Sequence, residues 1–386
     1  MVPQNPDTTA ITTGRDGSRS LATPLHTSSV WASDGLDDTA ARATTTRSSA
    51  FYSRYANPTV TQFENAIAEL EGAESAMAFA SGMGAIASVV LAFCHSGSHI
   101  VAQNTLYGGT LSFLEGPCRR LGIDVSYVNA STAGAFAAAV QPGRTMLVLA
   151  ETPSNPRLSI SNLTELGAIK GPFTVVDSTM ATPLAQRPLE HGVDLVLHSA
   201  TKGIAGHNDA MLGVVAGEKD LIDALWAYGV LHGATASPYD ALNGLRGIRT
   251  LPVRLRQQST SALQIATALQ DHPQVSHVMY PHLSSHPQHE LAMKQMSCGG
   301  SLVAFEIAGG IDSVRRTFAA LKIVRSATSF GGPETLLCHP QTSTHVGLPA
   351  DMLAAMGVTD GLVRLSVGLE HSDDIIADVV AALSAH

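Results

Sequence analysis

The sequence predicts an α/β protein with a mainly parallel central sheet, helices on both faces of that sheet, and a smaller C-terminal α/β domain. Short apolar runs alternate with segments of helical periodicity up to about residue 245, and this pattern changes beyond that point. The 386 residues are enough for one large and one smaller core. Alternation of strands and helices favours parallel strands that are covered on both faces.

The N-terminal segment 1–55 is predicted to be an extended arm, because it is rich in Thr, Ser, Asp and Ala and shows weak periodicity. A helix is predicted from Pro58 and is expected to end at Gly72. Its apolar positions recur at helical spacing, at Val60, Phe63, Ile67 and Leu70.

The segment 56–245 is predicted to form the cofactor-binding domain. Its strand candidates are, in order, AMAFAS, HIVAQ, DVSYVN, TMLVLAETP, FTVVDST and VDLVLHSATK. One helix is expected from Gly82, and another is expected to contain Leu111, Leu114 and Cys118. The C-terminal domain, 246–386, is predicted to open with a long helix over 251–270, followed by two strands (SLVAFEIA and GLVRLSVG) and a final helix.

Composition excludes several classes of protein. The net charge of −9 and the absence of Lys/Arg runs argue against a nucleic-acid or anionic-membrane partner. We expect neither a secretory signal nor a membrane span, since apolar stretches such as AIASVVLAF are too short. The four cysteines lack CxxC spacing, which favours a reducing cytoplasm over a zinc or disulfide framework. No metal site is expected at His282, His286 and His289, because prolines interrupt that cluster.

Three apolar strands are followed by polar residues that suit one cofactor. The strand FTVVD ends in Asp177, a candidate partner for a ring nitrogen. A second strand leads into Ser199, Thr201 and Lys202, and a third leads into Ser81, Gly82 and Met83 at a helix start, where free backbone N–H groups attract an anion. A phosphate site, an acid and a lone lysine together indicate pyridoxal 5′-phosphate (PLP). Each feature alone is more often a cap, a turn or a surface charge.

The segment HSATKGIAGHND resembles the signature of the Cys/Met-metabolism PLP-dependent enzymes. This family includes cystathionine γ-synthases, cystathionine γ-lyases, methionine γ-lyases and homoserine sulfhydrylases. Further matching segments follow in the family's order: FYSRYANPT, ASGMGAI, LYGGT, ETPSNP, VDSTMATP, SHPQHELA, SFGGPETL and LVRLSVGLE. The resemblance implies the aspartate-aminotransferase-like fold of type I PLP enzymes and, most often, a homotetramer built from two catalytic dimers.

The resemblance also implies roles for individual residues. Lys202 would carry the cofactor and shuttle protons, and Asp177 would pair with the pyridine nitrogen. Tyr107 would stack on the ring and act as acid–base at the γ leaving group. The phosphate would be held by Gly82, Met83, Ser199 and Thr201, with Tyr52 and Arg54 reaching it from the neighbouring subunit. The substrate side would involve Asn155, near the phenolic oxygen of the ring, and Arg364, which would clamp the α-carboxylate with help from Ser329.

Three positions indicate the branch of the family. Cystathionine γ-lyases commonly carry charged residues where this chain has Phe51, Ser112 and Thr328. The resemblance is therefore to methionine γ-lyases, and it implies a carbon–sulfur lyase that converts L-methionine to methanethiol, 2-oxobutanoate and ammonia. The expected partner is thus a small sulfur amino acid.

The sequence leaves other assignments of the reaction open. Gly109 stands where methionine γ-lyases usually have cysteine, so cystathionine γ-lyase and the γ-replacement enzymes (cystathionine γ-synthase, homoserine sulfhydrylase) are alternatives. A scaffold that has kept the fold but lost catalysis is an alternative of a different class. Gly203 is a further departure, because tyrosine commonly follows the lysine in this family.

Overall fold

Two sheets organise the computed structural model, which describes residues 4–15, 17 and 19–385. The larger sheet has the strand order β1-β7-β6-β5-β4-β2-β3. Its strands are β1 (Ser75–Phe79), β2 (His99–Gln103), β3 (Asp124–Val128), β4 (Thr145–Glu151), β5 (Phe173–Asp177), β6 (Leu195–His198) and β7 (Gly213–Gly217). Six strands run in one direction, and β7 is antiparallel to both of its neighbours.

The smaller sheet has the order β10-β11-β12-β9-β8 and is mostly antiparallel. Its strands are β8 (Val275–Met279), β9 (Leu302–Ile307), β10 (Arg325–Ser326), β11 (Leu336–Cys338) and β12 (Leu362–Ser366). A shared apolar core joins the two sheets, because Leu302 and Leu362 from the smaller sheet pack in the same cluster as Leu149 and Leu197 from the larger one.

Helices cover both sheets. They are α1 (Pro6–Thr12), α2 (Leu36–Thr44), α3 (Pro58–Glu71), α4 (Gly82–Phe93), α5 (Gly108–Phe113), α6 (Ala135–Ala139), α7 (Leu163–Gly167), α8 (Thr182–Ala185), α9 (Lys219–His232), α10 (Pro238–Gln270), α11 (His289–Gln295), α12 (Gly310–Ala320), α13 (Ala350–Ala355) and α14 (Ser372–Leu383). A π-helical turn, Leu114–Cys118, continues α5, and 3₁₀ turns lie at Pro188–His191 and Pro340–Thr342. Within the described ranges no helix is both long and apolar enough to cross a bilayer.

Local sequence signals explain the helices that were predicted well. The Asn57 side chain caps α3 by accepting the Thr59 N–H, Pro58 occupies the first turn, and Gly72 ends the helix with φ 69°. Ser81 caps α4 in the same way, accepting the Gly84 N–H over 3.0 Å. Helix α3 therefore begins and ends where the sequence predicts, and α4 begins at the predicted Gly82.

Several features differ from the predictions. The arm is not simply extended, since it contains α1 and α2, and its residues 1–3, 16 and 18 lie outside the described ones. The prediction omits β7, because a short apolar run bounded by glycines carries no decisive periodicity. The long helix α10 begins at Pro238, 13 residues before the predicted start at 251, and passes through position 245. One continuous helix thus joins the segments on either side, and the domain division stays a prediction.

The parallel strands bring the predicted site residues to one edge. Strands β2, β4, β5 and β6 are neighbours in the sheet, so their carboxyl ends lie side by side. In the β4–β5 register Glu151 faces Asp177, and in the β5–β6 register Asp177 faces Leu197. Ligands of open parallel sheets collect at this edge.

Candidate active site

A cavity of about 280 Å³ lies at the carboxyl edge of the larger sheet and extends to the smaller sheet. We call it the central cavity. Its walls include nine predicted residues: Gly82, Met83, Tyr107, Asn155, Asp177, Ser199, Thr201, Lys202 and Arg364. Residues that are far apart in sequence therefore converge on one space, as the order of the motifs predicts.

The start of α4 forms a close-fitting cradle beside the loop that follows β6. A Cβ atom on Gly82 would lie 2.7 Å from the Ser199 Cβ, so only glycine allows the helix to approach that loop. The Ser199 backbone N–H in turn donates to the Thr179 hydroxyl over 2.8 Å. A helix N-terminus faced by the Ser199 side chain is suited to an oxyanion, whereas the Thr201 hydroxyl is paired with the main-chain N–H and carbonyl of Leu212.

Asp177 is a buried carboxylate with one oxygen already engaged. The Thr179 N–H donates to its Oδ1 over 3.0 Å, and the Thr179 hydroxyl donates to the same atom. Burial raises the pKa of Asp177 above its ordinary value, and the Thr179 hydrogen bonds oppose that shift. Because both of these bonds go to Oδ1, the Oδ2 atom is left to meet a donor from a ligand.

Lys202 is an amine that becomes neutral more easily than an ordinary lysine. Burial, assisted by the nearby Arg364 charge, lowers its pKa to about 8. Its Nζ donates to the Ser329 hydroxyl over 2.9 Å and lies 5.3 Å from the centre of the Phe330 ring. A neutral amine is the form that attacks an aldehyde.

Arg364 is almost fully buried on β12 and faces the central cavity. Its Nη1 donates to the Asn155 Oδ1 over 2.8 Å, and its Nη2 donates to the Thr328 carbonyl over 2.9 Å. None of the described residues accepts a hydrogen bond from its Nε. A buried guanidinium with a free donor is suited to a carboxylate ligand.

Three predicted residues lie outside the cavity wall. Ser329 contacts the site through its hydroxyl, which accepts from the Lys202 Nζ, and through its carbonyl, which lies 3.5 Å from the Arg364 Nη2. Tyr52 is 41% exposed, and Arg54 donates to the Val230 carbonyl and lies against the Tyr52 ring. Within this chain, therefore, neither Tyr52 nor Arg54 reaches the cradle.

Sequence reasoning missed other wall residues. Thr179 holds Asp177, and the buried carboxylate of Glu151 accepts the backbone N–H groups of Tyr107 and Asn155. Glu151 had a usable signal, because it ends an apolar strand in the same way as Asp177 does. Thr179 had no such signal.

A second cavity of about 320 Å³ adjoins the first beyond Tyr107. We call it the distal cavity. It is lined by Tyr107, Gly108, Gly109, Ser112, Thr328, Ser343, Thr344, Val346 and Leu348. Hydroxyls and aliphatic groups therefore surround it, and none of its described lining residues is Asp, Glu, Lys, Arg or His.

The three clustered histidines stay near one another in the fold, since His289 contributes to the lowered pKa of both His282 and His286. His286 is buried, and burial lowers its pKa to about 4. Within the described part of the chain, no group of three or more His, Cys, Asp or Glu side chains is arranged to hold a metal ion.

A family model for Cys/Met metabolism PLP-dependent enzymes matches residues 7–384. The chain belongs to this family. Membership confirms the resemblance drawn from the motifs and makes the protein a PLP-dependent enzyme of Cys/Met metabolism. The scaffold alternative is thereby set aside.

The chain is similar to enzymes from several branches of this family. The chain is 38% identical to an L-methionine gamma-lyase of Treponema denticola over 370 residues, 94% of this chain and 92% of the relative. It is 42% identical to an O-succinylhomoserine sulfhydrylase of Pseudomonas aeruginosa over 337 residues, 86% of this chain and 83% of the relative. A crystal structure of cystathionine gamma synthase from Xanthomonas oryzae pv. oryzae matches with a TM-score of 0.93 at 36% identity, covering 99% and 98% of the two chains.

The residues present fit the family's cofactor. The glycine-dependent cradle at Gly82 would accommodate a phosphate, Asp177 would offer an oxygen to a ring nitrogen, and Lys202 would supply a reactive amine. All three line the same cavity. The fold is the aspartate-aminotransferase-like fold of type I PLP enzymes, as predicted.

Proposed function

We propose that this enzyme is a carbon–sulfur γ-lyase that converts L-methionine to methanethiol, 2-oxobutanoate and ammonia. The observation that carries the proposal is the uncharged distal cavity beside Tyr107. A methylthio group needs no charged partner there, whereas the second ammonium and carboxylate of cystathionine would find none among the described lining residues. The similarity to L-methionine gamma-lyases supports the same branch.

The central cavity supports a role for each side chain. When bound, PLP withdraws electrons from the substrate α-carbon. Lys202, with its lowered pKa, would hold the cofactor and then carry the proton that leaves the α-carbon. Asp177 would face the pyridine nitrogen, while the phosphate would be held by Gly82, Met83, Ser199 and Thr201.

The substrate would lie between Arg364 and Tyr107. The free Nε of Arg364 would bind the α-carboxylate, and Asn155 keeps the guanidinium in place through its hydrogen bond. Ser329 would orient the Lys202 amine. Tyr107 lines both cavities, so its hydroxyl is suited to donate a proton to the leaving sulfur.

A second copy of the chain would complete the site. Among the described residues that line the central cavity, the only cations are Lys202 and Arg364, which have other proposed tasks. Tyr52 and Arg54 of a neighbouring subunit would supply the missing contacts, and the exposed arm residue Leu36 would be covered. We therefore propose a homotetramer of two catalytic dimers. Each chain would consist of an arm (1–55), a cofactor-binding domain (56–245) and a C-terminal domain (246–386). We propose that the enzyme acts in the cytoplasm.

A substrate panel tests the proposed reaction. Incubation with L-methionine, L-cystathionine or an O-acylhomoserine plus a thiol is followed by assays for 2-oxobutanoate and for the thioether product. We expect 2-oxobutanoate from L-methionine at a rate well above that from L-cystathionine. Faster turnover of L-cystathionine would instead identify a cystathionine γ-lyase, and thioether formation without 2-oxobutanoate would identify a γ-replacement enzyme.

A further inference from the structure

The Glu151 carboxylate bridges two loops at the edge of the larger sheet. Its Oε2 accepts the Tyr107 N–H over 2.8 Å, and its Oε1 accepts the Asn155 N–H over 2.6 Å. Tyr107 follows β2, and Asn155 follows β4. The Glu151 side chain thus connects the loop of Tyr107, the proposed proton donor, to the loop of Asn155, which accepts a hydrogen bond from Arg364.

The main chain of Glu151 is itself held in place. Its N–H donates to the Gln103 Oε1 over 3.0 Å, and its carbonyl accepts the Gln103 Nε2 over 2.9 Å. Gln103 ends the neighbouring strand β2 and is fully buried. The carboxylate therefore projects from a rigid base, which is a condition for a group that sets the position of others.

The bridge continues across the cavity. The Asn155 Oδ1 accepts the Arg364 Nη1 over 2.8 Å, so hydrogen bonds connect Tyr107 to Arg364 through Glu151 and Asn155. Burial and the adjacent Asp177 carboxylate raise the pKa of Glu151 well above its ordinary value, while its two N–H donors and Arg364 favour the charged form. A group kept buried at such a cost is typical of functional sites.

We propose that Glu151 is a positioning residue that fixes the separation between Tyr107 and Arg364 by holding the backbone N–H groups of Tyr107 and Asn155. The inference rests on the proposed roles of Tyr107 and Arg364. Arg364 holds one end of the substrate and Tyr107 acts at the other, so their separation decides whether the leaving atom meets the proton donor. Misplacement by about 1 Å is enough to cost about 10²-fold in rate.

Two substitutions at Glu151 test the bridge. Glu151→Gln keeps the shape but turns an NH₂ group toward one of the two N–H donors, and Glu151→Asp keeps the charge but is one methylene too short to reach both. We expect each holoenzyme to change the visible circular dichroism of the bound cofactor. We expect kcat to fall about 10²-fold on the fastest substrate of the panel, with a smaller change in KM.

Asp378→Asn is the matched control. Asp378 is also a buried carboxylate that accepts backbone N–H groups, those of Lys322, Ile323 and Val324, but it lies on α14, away from both cavities. We expect this variant to lose thermal stability while its cofactor circular dichroism and kcat stay at wild-type values. The comparison therefore separates a general loss of stability from a displacement of Tyr107 and Asn155.

A double-mutant cycle with Tyr107→Phe shows whether Glu151 acts through Tyr107. We expect the effect of Glu151→Gln on kcat to shrink to less than about threefold once the Tyr107 hydroxyl is absent. Three outcomes would each overturn the inference. The first is an undiminished effect of Glu151→Gln in the Tyr107→Phe variant, and the second is a wild-type spectrum and kcat in both Glu151 variants. The third is loss of the cofactor or of the fold in both Glu151 variants. Failure of the proposed reaction is distinguishable, because it shows in the wild-type substrate panel and leaves the circular dichroism comparison intact.

Discussion

The Lys202 amine donates a hydrogen bond to the Ser329 hydroxyl over 2.9 Å, and this contact joins the two halves of the molecule. Lys202 lies in the loop after β6 of the larger sheet, whereas Ser329 lies between β10 and β11 of the smaller one. The bond between Asn155 and Arg364 crosses between the sheets in the same way. The candidate site is thus complete only when both sheets are packed together.

Removal of the Lys202 amine is expected to abolish covalent retention of the cofactor. Lys202→Ala should lose the visible absorbance of bound PLP after dialysis, because no other described lysine lines the central cavity. Lys219→Ala is the control, since Lys219 is an exposed lysine on α9 and should leave the absorbance unchanged. A dialysed Lys202→Ala protein that stays yellow would refute the assignment.

Capture of PLP by the apo-enzyme should depend on pH through Lys202. Only the neutral amine attacks the aldehyde, so the rate of absorbance growth should rise with an apparent pKa of about 8 and level off above it. A rate that keeps rising toward pH 10.5, the ordinary lysine pKa, would contradict this expectation.

The same shift predicts a pH dependence of apo-enzyme stability. Between about pH 8 and 10.5 the unfolded chain binds more protons at this lysine than the folded chain does, so the free energy of unfolding should rise with pH across that window. Below about pH 8 the destabilisation by Lys202 is fully present. Lys202→Met is the control in urea titrations, because it should lack this rise.

A methyl group at the start of α4 should weaken cofactor binding. The added Cβ of Gly82→Ala would lie 2.7 Å from the Ser199 Cβ and push the helix away from the loop. Overpacking of this kind costs about 1–3 kcal/mol, which corresponds to a rise of about 5- to 150-fold in the Kd of PLP. Gly84→Ala, on the same helix with its nearest contact at 3.4 Å, should match the wild type. Equal affinities of the two variants for PLP would show that the cradle does not depend on Gly82.

Loss of the guanidinium on β12 should impair substrate binding more than cofactor binding. Arg364→Lys replaces a planar set of donors with a point charge and removes the contact with either Asn155 or the Thr328 carbonyl. We expect kcat/KM for L-methionine to fall about 10- to 100-fold, mainly through KM, with cofactor absorbance retained. An unchanged KM would exclude Arg364 as the carboxylate ligand.

A charge placed in the distal cavity should alter substrate preference. Ser112 lines that cavity, so Ser112→Arg would provide a partner for a distal carboxylate. We expect kcat/KM for L-cystathionine to rise about tenfold relative to that for L-methionine. Ser112→Gln adds similar bulk without charge and should show no such change. An equal ratio of kcat/KM for L-cystathionine to that for L-methionine in both variants would mean that charge in the distal cavity does not control substrate preference.

Much of the fold was predictable because its signals are local. The helix α3 has its cap at Asn57, its apolar stripe and its closing Gly72 within one short segment. The strand β7 and the antiparallel smaller sheet were not predictable in the same way, because strand direction depends on which distant segment supplies the hydrogen bonds.

The residues of the candidate site likewise differ in whether local sequence signals could identify them. Lys202, Asp177 and Gly82 could be singled out because their residue types have specific chemistry and each follows an apolar strand. The contact of Arg364 with Asn155 and the stacking of the Lys202 cation on Phe330 could not, since each joins residues more than 100 positions apart. Tyr52 and Arg54 stay a prediction that only a dimer can test.

The amino-acid order alone determined the elements around the site, the family and the cofactor, because periodicity, capping residues and motif chemistry are written in adjacent positions. The tertiary structure decided how those groups act on one another. Burial lowers the pKa of Lys202, the absence of charge around the distal cavity favours a thioether, and Glu151 bridges two loops. The partners of Glu151 are backbone N–H groups, which nearly every residue carries, so no residue type in the sequence could reveal that bridge.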